Sequence, residues 1–555
     1  MSVKQPSPLG NRKPCDPPSE KSTNSFWHSQ PSALLTAHRS TRNLPKTADV
    51  VIIGSGMTGA SVAHHLLNDT HGDSQGEQKY PSVVMLEARE ACWGATGRNG
   101  GHCQPVLFEH PHDPSIAHFE LANFHALQNL IETKTIDCEF TAQPGVRAIY
   151  SSQVLTDIEL ALLTIQGTAP ELAQKMRLVT KKSELESLRI PKAMGAVVTS
   201  IAARMWPYKF VSRILEDLLT SSESLSGTFN LQTLTPVQSL TPCSNEEGWT
   251  VQTPRGTILA SNVVLATNAY TSHLLPSFSD LIVPCRGQMS ALKPLDSVAG
   301  EKRLKTSIGF MGEGVDDYLI QRPDGRGGEL MFGGGRQYGP SMGVTDDSEI
   351  DDETARYLRS NLVETLGLPE GKEMEGGGRM VVCQFCRMRK VRCSGVCPQQ
   401  PCTNCVTFGA QCRSTSYKTW GTPTHKEFQA THEWTGIMGF SRDELPWIGP
   451  VPDKRNLYVA AGFTGHGMPN TWLCGKAVAL MLQRGTGTLD VTVTDREIRL
   501  EALAQDVRLP RSYLVTKRRI ERAMQLEDVG AKDRAEMERW RRLQKRADRP
   551  HSGYA

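Results

Sequence analysis

Six cysteines, Cys383, Cys386, Cys393, Cys402, Cys405 and Cys412, repeat as two Cys-x2-Cys-x6-Cys half-sites. Thiolates at that spacing can hold two tetrahedral zinc ions if two of the six bridge, because six ligands then fill eight coordination positions. The other eight of the 14 cysteines include Cys397 inside the run and seven scattered singly, which fits a local metal site rather than a disulfide framework. A second motif is Gly54-Ser55-Gly56-Met57-Thr58-Gly59. Gly54 permits a tight turn, Gly56 lets backbone approach a pyrophosphate, and Gly59 lets a helix pack close to a strand. The helix N-terminus then turns unpaired N–H groups toward phosphate. Glu87 closes a second apolar run, where a carboxylate can accept hydrogen bonds from a ribose.

These residues need particular elements to position them. ADVVIIG (Ala48 to Gly54) reads as a strand buried on both faces, ASVAHHLL carries helical spacing, and SVVMLEA (Ser82 to Ala88) reads as the next strand. Glu87 follows Gly59 by 28 positions, more than the usual twenty or so, and the polar stretch Asn68 to Lys79 accounts for the excess. Residues 248–260 read as a hairpin, 262–271 as a separate buried strand entering a loop, and 316–335 as an antiparallel pair around a glycine-rich turn. Asp352 to Leu366 and Thr471 to Gln483 are strongly helical, and periodicity stops between about 376 and 426. The division expected is therefore a flexible extension over 1–47, a large domain in two parts (48–376 and 427–524), a cysteine-rich insertion over 377–426, and a charged helical tail over 525–555.

Composition is that of a globular chain: 555 residues, 38% hydrophobic and 22% charged. No run approaches the roughly 18 apolar residues of a membrane span, and the first thirty residues lack the apolar centre of a signal peptide, so no membrane partner and a cytoplasmic location are expected. The net charge of +3 is uneven: residues 383–413 carry five basic side chains and no acid, residues 511–549 carry thirteen basic against seven acidic, and the remainder sits near −8.

The strand, turn, helix and acid, followed by GATGRNGGH (Gly94 to His102), resemble the FAD-dependent oxidoreductases of the D-amino-acid oxidase and glycine oxidase superfamily, most of all its gamma-glutamylputrescine oxidase-like fungal subgroup. VVLATNAYT (Val263 to Thr271), PCRGQ (Pro284 to Gln288), EWTGIMGFSRDELPWIGP (Glu433 to Pro450) and AAGFTGHGMPNT (Ala460 to Thr471) extend the resemblance. It implies an α/β fold, with a Rossmann-type FAD-binding domain interleaved with an antiparallel-sheet substrate domain, and oxidation of the C–N bond of an amine or amino acid by hydride transfer to flavin N5, with reoxidation by O2 to H2O2. It also implies FAD contacts from Gly54, Gly56, Met57, Thr58, Gly59, Glu87, Ala88, Arg98, Asn99, Gly100, Gly101, Ala266 and Thr267. Val237, at the end of a TPV strand, would meet adenine, and Gly462, Gly465, His466, Gly467 and Met468 would close over the flavin ring. Tyr318 and Arg336 are the candidate grip on a substrate carboxylate, against a bland reading as a half-buried sheet residue and a surface charge. His466 would polarise the flavin or cap the following helix, and Cys103 is either a covalent flavin anchor or a small buried hydrophobe.

The cysteine run resembles the fungal binuclear zinc-cluster DNA-binding domain. CRMRKVRC places Lys390 on that family's base-contacting lysine and Arg387, Arg389 and Arg392 where phosphate contacts fall, and Pro401 precedes the fourth ligand. This implies DNA as an alternative partner, a regulator carrying an oxidoreductase-like body, and a nuclear location in that case. Residues 517–547 alternate charge at helical spacing and read as a solvated helix.

Overall fold

The computed structural model describes residues 12–68, 81–221, 227–244, 247–312, 314–368, 427–484, 502, 505–531, 535 and 538. The insertion at 377–426, with its cysteines Cys383 to Cys412 and basic residues Arg387 to Arg392, lies outside these.

Two sheets make the body. The first is built on the apolar runs seen in the sequence, β1 (Thr47–Ile53) and β2 (Ser82–Leu86), flanked by β7 (Thr228–Gln232) on one side and by β10 (Gly256–Leu265), β17 (Leu457–Ala461) and β16 (Trp447–Pro450) on the other. β7, β2, β1, β10 and β17 run parallel, and β8 (Ser239–Pro242) and β9 (Trp249–Thr253) extend β10 as antiparallel neighbours. Both faces of a parallel sheet must be covered. Helices Met57–Asn68 and Thr471–Gln483 cover one together: Ser61 Oγ donates to Trp472 O, and a Cβ on Gly475 would fall 2.5 Å from Ser61 Cβ.

The second sheet has the order β15 (Ala430–Ser441), β11 (Ile282–Leu292), β14 (Leu330–Gly334), β13 (Tyr318–Gln321), β12 (Ser307–Met311), β4 (Thr141–Ile149), β6 (Gly195–Arg204), β3 (His102–Cys103), with β5 (Met176–Val179) also on β6. It is antiparallel except between β12 and β4. The two ends of the undescribed stretch 369–426 meet in this half: Leu368 and Phe428 share a buried cluster, and Phe428 N donates to Arg359 O at 2.9 Å.

Four expectations change. The hairpin at 248–260 and the strand at 262–271 are not separate, because no breaker interrupts Gly256–Leu265; β10 pairs with β9 through its first half and with β17 through its second. The TPV segment ending at Val237 is a loop after β7, tied by Thr235 N to Glu87 O at 2.8 Å. The extension called flexible is packed from residue 12 onward: Phe26 and Trp27 enter the core, Trp206 Nε1 donates to Trp27 O at 2.8 Å, and Arg12 pairs with Asp528. Aromatic side chains spaced among Pro and Ser supplied that anchor. The tail helix Lys517–Gln525 is not solvated throughout, since Arg519 is buried. Its guanidinium donates to Asp443 Oδ2 and Oδ1 at 2.8 and 3.0 Å and to the carbonyls of Pro446, Tyr513 and Leu445, and lies 3.8 Å from the Trp447 ring centre.

Candidate active site

The glycine turn does what its residue types require. Gly54 has φ +106°, and a Cβ there would fall 2.6 Å from Ala266 O, so β1 and the loop after β10 close on each other only without a side chain. A Cβ on Gly59 would lie 2.0 Å from Gly54 O. Gly56 differs: its Cβ would meet only Thr96, with Oγ1 at 3.1 Å, leaving a bare backbone face toward a cavity. Glu87 is fixed at the cavity wall, accepting from Ser55 N (3.0 Å), Ser55 Oγ (2.6 Å) and Arg89 N (3.0 Å).

That cavity has a volume of about 1010 Å³, at the top of the range for small-molecule sites, as a dinucleotide cofactor plus substrate would need. It runs from the turn past Val237, Ala266 and Thr267 to a floor formed by the second sheet and a rim at Gly465 to Met468. Every residue expected at the cofactor lines it except Gly59, Gly101 and Gly462. Gly59 sets helix against strand. Gly101 (φ +69°) is wedged under Met205 O, and Gly462 (φ +77°) against Ile282 and Trp447, so both shape the backbone behind the wall. The residues present therefore fit FAD: a bare turn, a fixed carboxylate and enclosed volume at the end of parallel strands.

Arg98 borders the cavity, but its guanidinium is engaged elsewhere. It donates to Thr435 O (2.6 Å), Thr23 O (2.5 Å) and Ser22 Oγ (3.2 Å) and lies 3.3 Å from Asp347, which Arg89 also binds at 2.9 Å. Burial pulls it down to about 10. Arg98 thus ties the packed N-terminal segment to β15 through partners far from it in the chain.

The floor is organised by one register. Arg147 of β4 pairs with Gly309 of β12, Gly309 with Tyr318 of β13, Tyr318 with Gly333 of β14, Gly333 with Met289 of β11, and Met289 with Trp434 of β15. The glycines make room for the large side chains: a Cβ on Gly309 would lie 2.7 Å from Arg147 Nη1, and one on Gly333 would lie 2.1 Å from Met289 Sδ. Tyr318 lies over Gly100, its hydroxyl donating to Met289 Sδ at 3.1 Å, and burial raises its phenol well above the usual range. Arg336 lines the cavity and is no surface charge, but its Nε donates to Asp316 Oδ2 at 2.8 Å and its guanidinium lies 5.2 Å from the Phe440 ring centre. His466 does not cap the helix with its ring. Its Nε2 is 2.9 Å from Glu120 Oε1, out of line for a hydrogen bond, while Glu120 accepts from Val106 N and Asn470 Nδ2.

Three residues at this end were not assigned roles from the sequence. His102 lines the cavity, its Nε2 buried without a partner, and burial beside Arg147 pushes it down to about 3, so the ring is neutral. Its strand neighbour Cys103 points the other way into the core and is pushed up to about 12, which leaves it the small hydrophobe rather than a reachable anchor. Arg147 and Glu120 reach the cavity from β4 and from helix Pro114–Thr133. The signal for Arg147 was an arginine inside an apolar strand, GVRAIY.

Comparison with known proteins fits this architecture. The family model described as FAD dependent oxidoreductase matches residues 49–389 and 418–481, and that of the fungal Zn(2)-Cys(6) binuclear cluster domain matches residues 381–420. The gamma-glutamylputrescine oxidoreductase of Escherichia coli (strain K12) is 21% identical over 471 residues, covering 81% of this chain and 87% of that protein. Glycine oxidase from Geobacillus kaustophilus superposes with a TM-score of 0.54 at 18% identity over 81% of this chain and 98% of that one. L-amino acid deaminase from Proteus vulgaris, lacking its specific insertion sequence, does so with a TM-score of 0.51 at 16% identity over 84% and 97%. The chain belongs to the FAD dependent oxidoreductase family.

Proposed function

We propose that the chain oxidises the C–N bond of an amine or amino acid and passes the electrons on to O2, releasing H2O2. The observation that carries this reading is one continuous cavity joining the bare glycine turn at Gly56 to an enclosed floor around Tyr318, His102 and His466. FAD, when bound, accepts the hydrogen and electron pair that leave the carbon bearing the amine. The turn 54–58 and Glu87 would hold its phosphates and ribose, Ala266 and Thr267 would lie by the pyrophosphate and Val237 by the adenine, and Gly465 to Met468 would form the rim over the ring. Tyr318 is the flat wall against which substrate is oriented. The neutral His102 accepts a hydrogen bond from the substrate's nitrogen without adding positive charge, and Glu120, held by Val106 and Asn470, orients His466. The role of Arg336 is to keep Asp316 and the end of β14 in place beside Tyr318.

Purified protein should show the flavin band near roughly 450 nm, directly or after reconstitution, and lose it on anaerobic mixing with substrate. A chain that folds but takes up no flavin refutes the proposal.

The match at residues 381–420 favours a second function beside the first. In this reading Cys383, Cys386, Cys393, Cys402, Cys405 and Cys412 bind two zinc ions, and Arg387, Arg389, Lys390 and Arg392 face DNA. The excursion 377–426 is an insertion between 48–376 and 427–524, as the shared cluster of Leu368 and Phe428 supports. The test is salt-sensitive, sequence-selective DNA binding that Lys390→Ala abolishes.

A further inference from the structure

We propose, building on the oxidoreductase reading above, that residues 12–19 and 526–529 form a clasp, closed by Arg12 and Asp528, that completes the outer wall of the cofactor cavity and must open for FAD to enter or leave.

Besides the glycine turn and the sheet floor, the cavity is lined by Pro17 and Pro18 from the first stretch and by Leu526, Glu527 and Val529 from the second. Neither stretch falls within the residues matched as FAD dependent oxidoreductase, 49–389 and 418–481, so this part of the wall is supplied from outside the matched fold. Each stretch has its own seat. Cys15 N donates to Ser272 Oγ at 3.0 Å and Cys15 Sγ to Ala269 O at 3.5 Å, which places the first stretch on the turn that follows Ala266 and Thr267. Ser19 Oγ donates to Asp346 Oδ1 at 3.0 Å. The second stretch hangs from Arg442, itself a cavity residue, which donates to Leu526 O from Nη2 at 2.7 Å and from Nε at 3.2 Å. Just ahead of it, Arg519 anchors the tail helix on Asp443.

The two seats are joined by an ion pair between residues 516 positions apart: Arg12 Nη2 donates to Asp528 Oδ1 at 2.7 Å and to Oδ2 at 2.6 Å. Asp528 Oδ1 also accepts from Ala531 N at 3.0 Å, so the same carboxylate fixes the turn that carries Val529. Partial burial raises the Asp528 carboxyl, but the hydrogen bond and charge of Arg12 outweigh it and hold the group below its usual value. Neither Arg12 nor Asp528 lines the cavity, and they act on its contents only through the wall residues beside them. Their side chains are 28% and 30% exposed, which makes the pair a latch that opens readily and weakens with salt rather than a buried fixture.

The experiment compares full-length wild type, Arg12→Glu, Asp528→Arg and the reversed pair Arg12→Glu/Asp528→Arg. FAD release from loaded protein is followed after large dilution by the fluorescence of freed flavin, and FAD uptake by flavin-free protein is followed by quenching. Opening itself is read in flavin-free protein as iodoacetamide alkylation of Cys15, located by peptide mass. Burial raises the Cys15 thiol, so it reacts slowly while its stretch is seated. Each single variant should release and take up FAD about two- to fivefold faster, as loss of a partly exposed pair allows, with the dissociation constant within about twofold, because a closed clasp delays entry and exit alike. Cys15 alkylation should quicken with them. The reversed pair should return all three rates to within about twofold of wild type, and high salt should bring wild type toward the single variants. Equal FAD exchange in all four proteins, single variants that weaken FAD without speeding its uptake, or a reversed pair as fast as the single variants would each overturn the proposal. Protein that takes up no flavin refutes the oxidoreductase reading instead, and Cys15 alkylation across the four proteins then still tests the clasp.

Discussion

Two glycines of one turn should fail in different ways. A methyl at Gly59 would lie 2.0 Å from the backbone oxygen of Gly54, against an ordinary contact of 3.4 Å or more, so helix and strand must separate by over an ångström. Overpacking of that kind costs about 1–3 kcal/mol, offset by up to about 1 kcal/mol from replacing a helical glycine. A methyl at Gly56 meets only Thr96 Oγ1 at 3.1 Å, a side-chain atom that can yield. Gly56→Ala should therefore leave the apoprotein within about 0.5 kcal/mol of wild type. The same methyl stands where a pyrophosphate would touch backbone, and about 1–3 kcal/mol of overlap there corresponds to a rise in the FAD dissociation constant between about 5-fold and 150-fold. The assay is urea unfolding of the flavin-free protein beside FAD titration by fluorescence quenching. Gly59→Ala should lower the unfolding midpoint and weaken FAD, and Gly56→Ala should weaken FAD alone. Wild-type FAD affinity in Gly56→Ala refutes the placement of the phosphates.

Three further outcomes are expected. Removing the Arg519 guanidinium leaves three carbonyls and Asp443 without their donor, so Arg519→Met should destabilise docking of residues 505–531 by about 3–5 kcal/mol, read as faster proteolysis of that segment; an unchanged rate means the helix is merely solvated. Asp317 is buried and pushed up to about 7, so it folds preferentially protonated. Its contribution is complete below the unfolded value of 3.8 and fades as pH rises through 7, with a slope of up to about 1.4 kcal/mol per pH unit. Asp317→Asn should remove that slope between pH 4 and 7, and identical pH–stability curves would contradict it. Metal analysis should find two zinc ions per chain that chelators remove without loss of flavin; one ion or none contradicts the six-thiolate cluster.

Strand, turn, helix and acid were legible in the sequence because each residue there answers to a local demand: apolar runs for buried parallel strands, glycines where backbones touch, a carboxylate after β2. The helix Thr471–Gln483 was read to its ends for the same reason. What stayed hidden depends on partners far along the chain. Arg98 is satisfied by Thr23 and Asp347, Arg519 by Asp443, and the packing of Phe26 and Trp27 by Trp206. Arg147 reaches the cavity floor only through register, because β4 brings it beside a glycine 162 positions later in the chain, Gly309.

Anaerobic mixing of the flavin-loaded protein with matched pairs of amino acids and their decarboxylated amines tests the central claim most directly. The account predicts bleaching of the flavin band by at least one member of such pairs, and stoichiometric H2O2 when air is readmitted. Flavin that is loaded yet reduced by neither, across a panel of both, would contradict it.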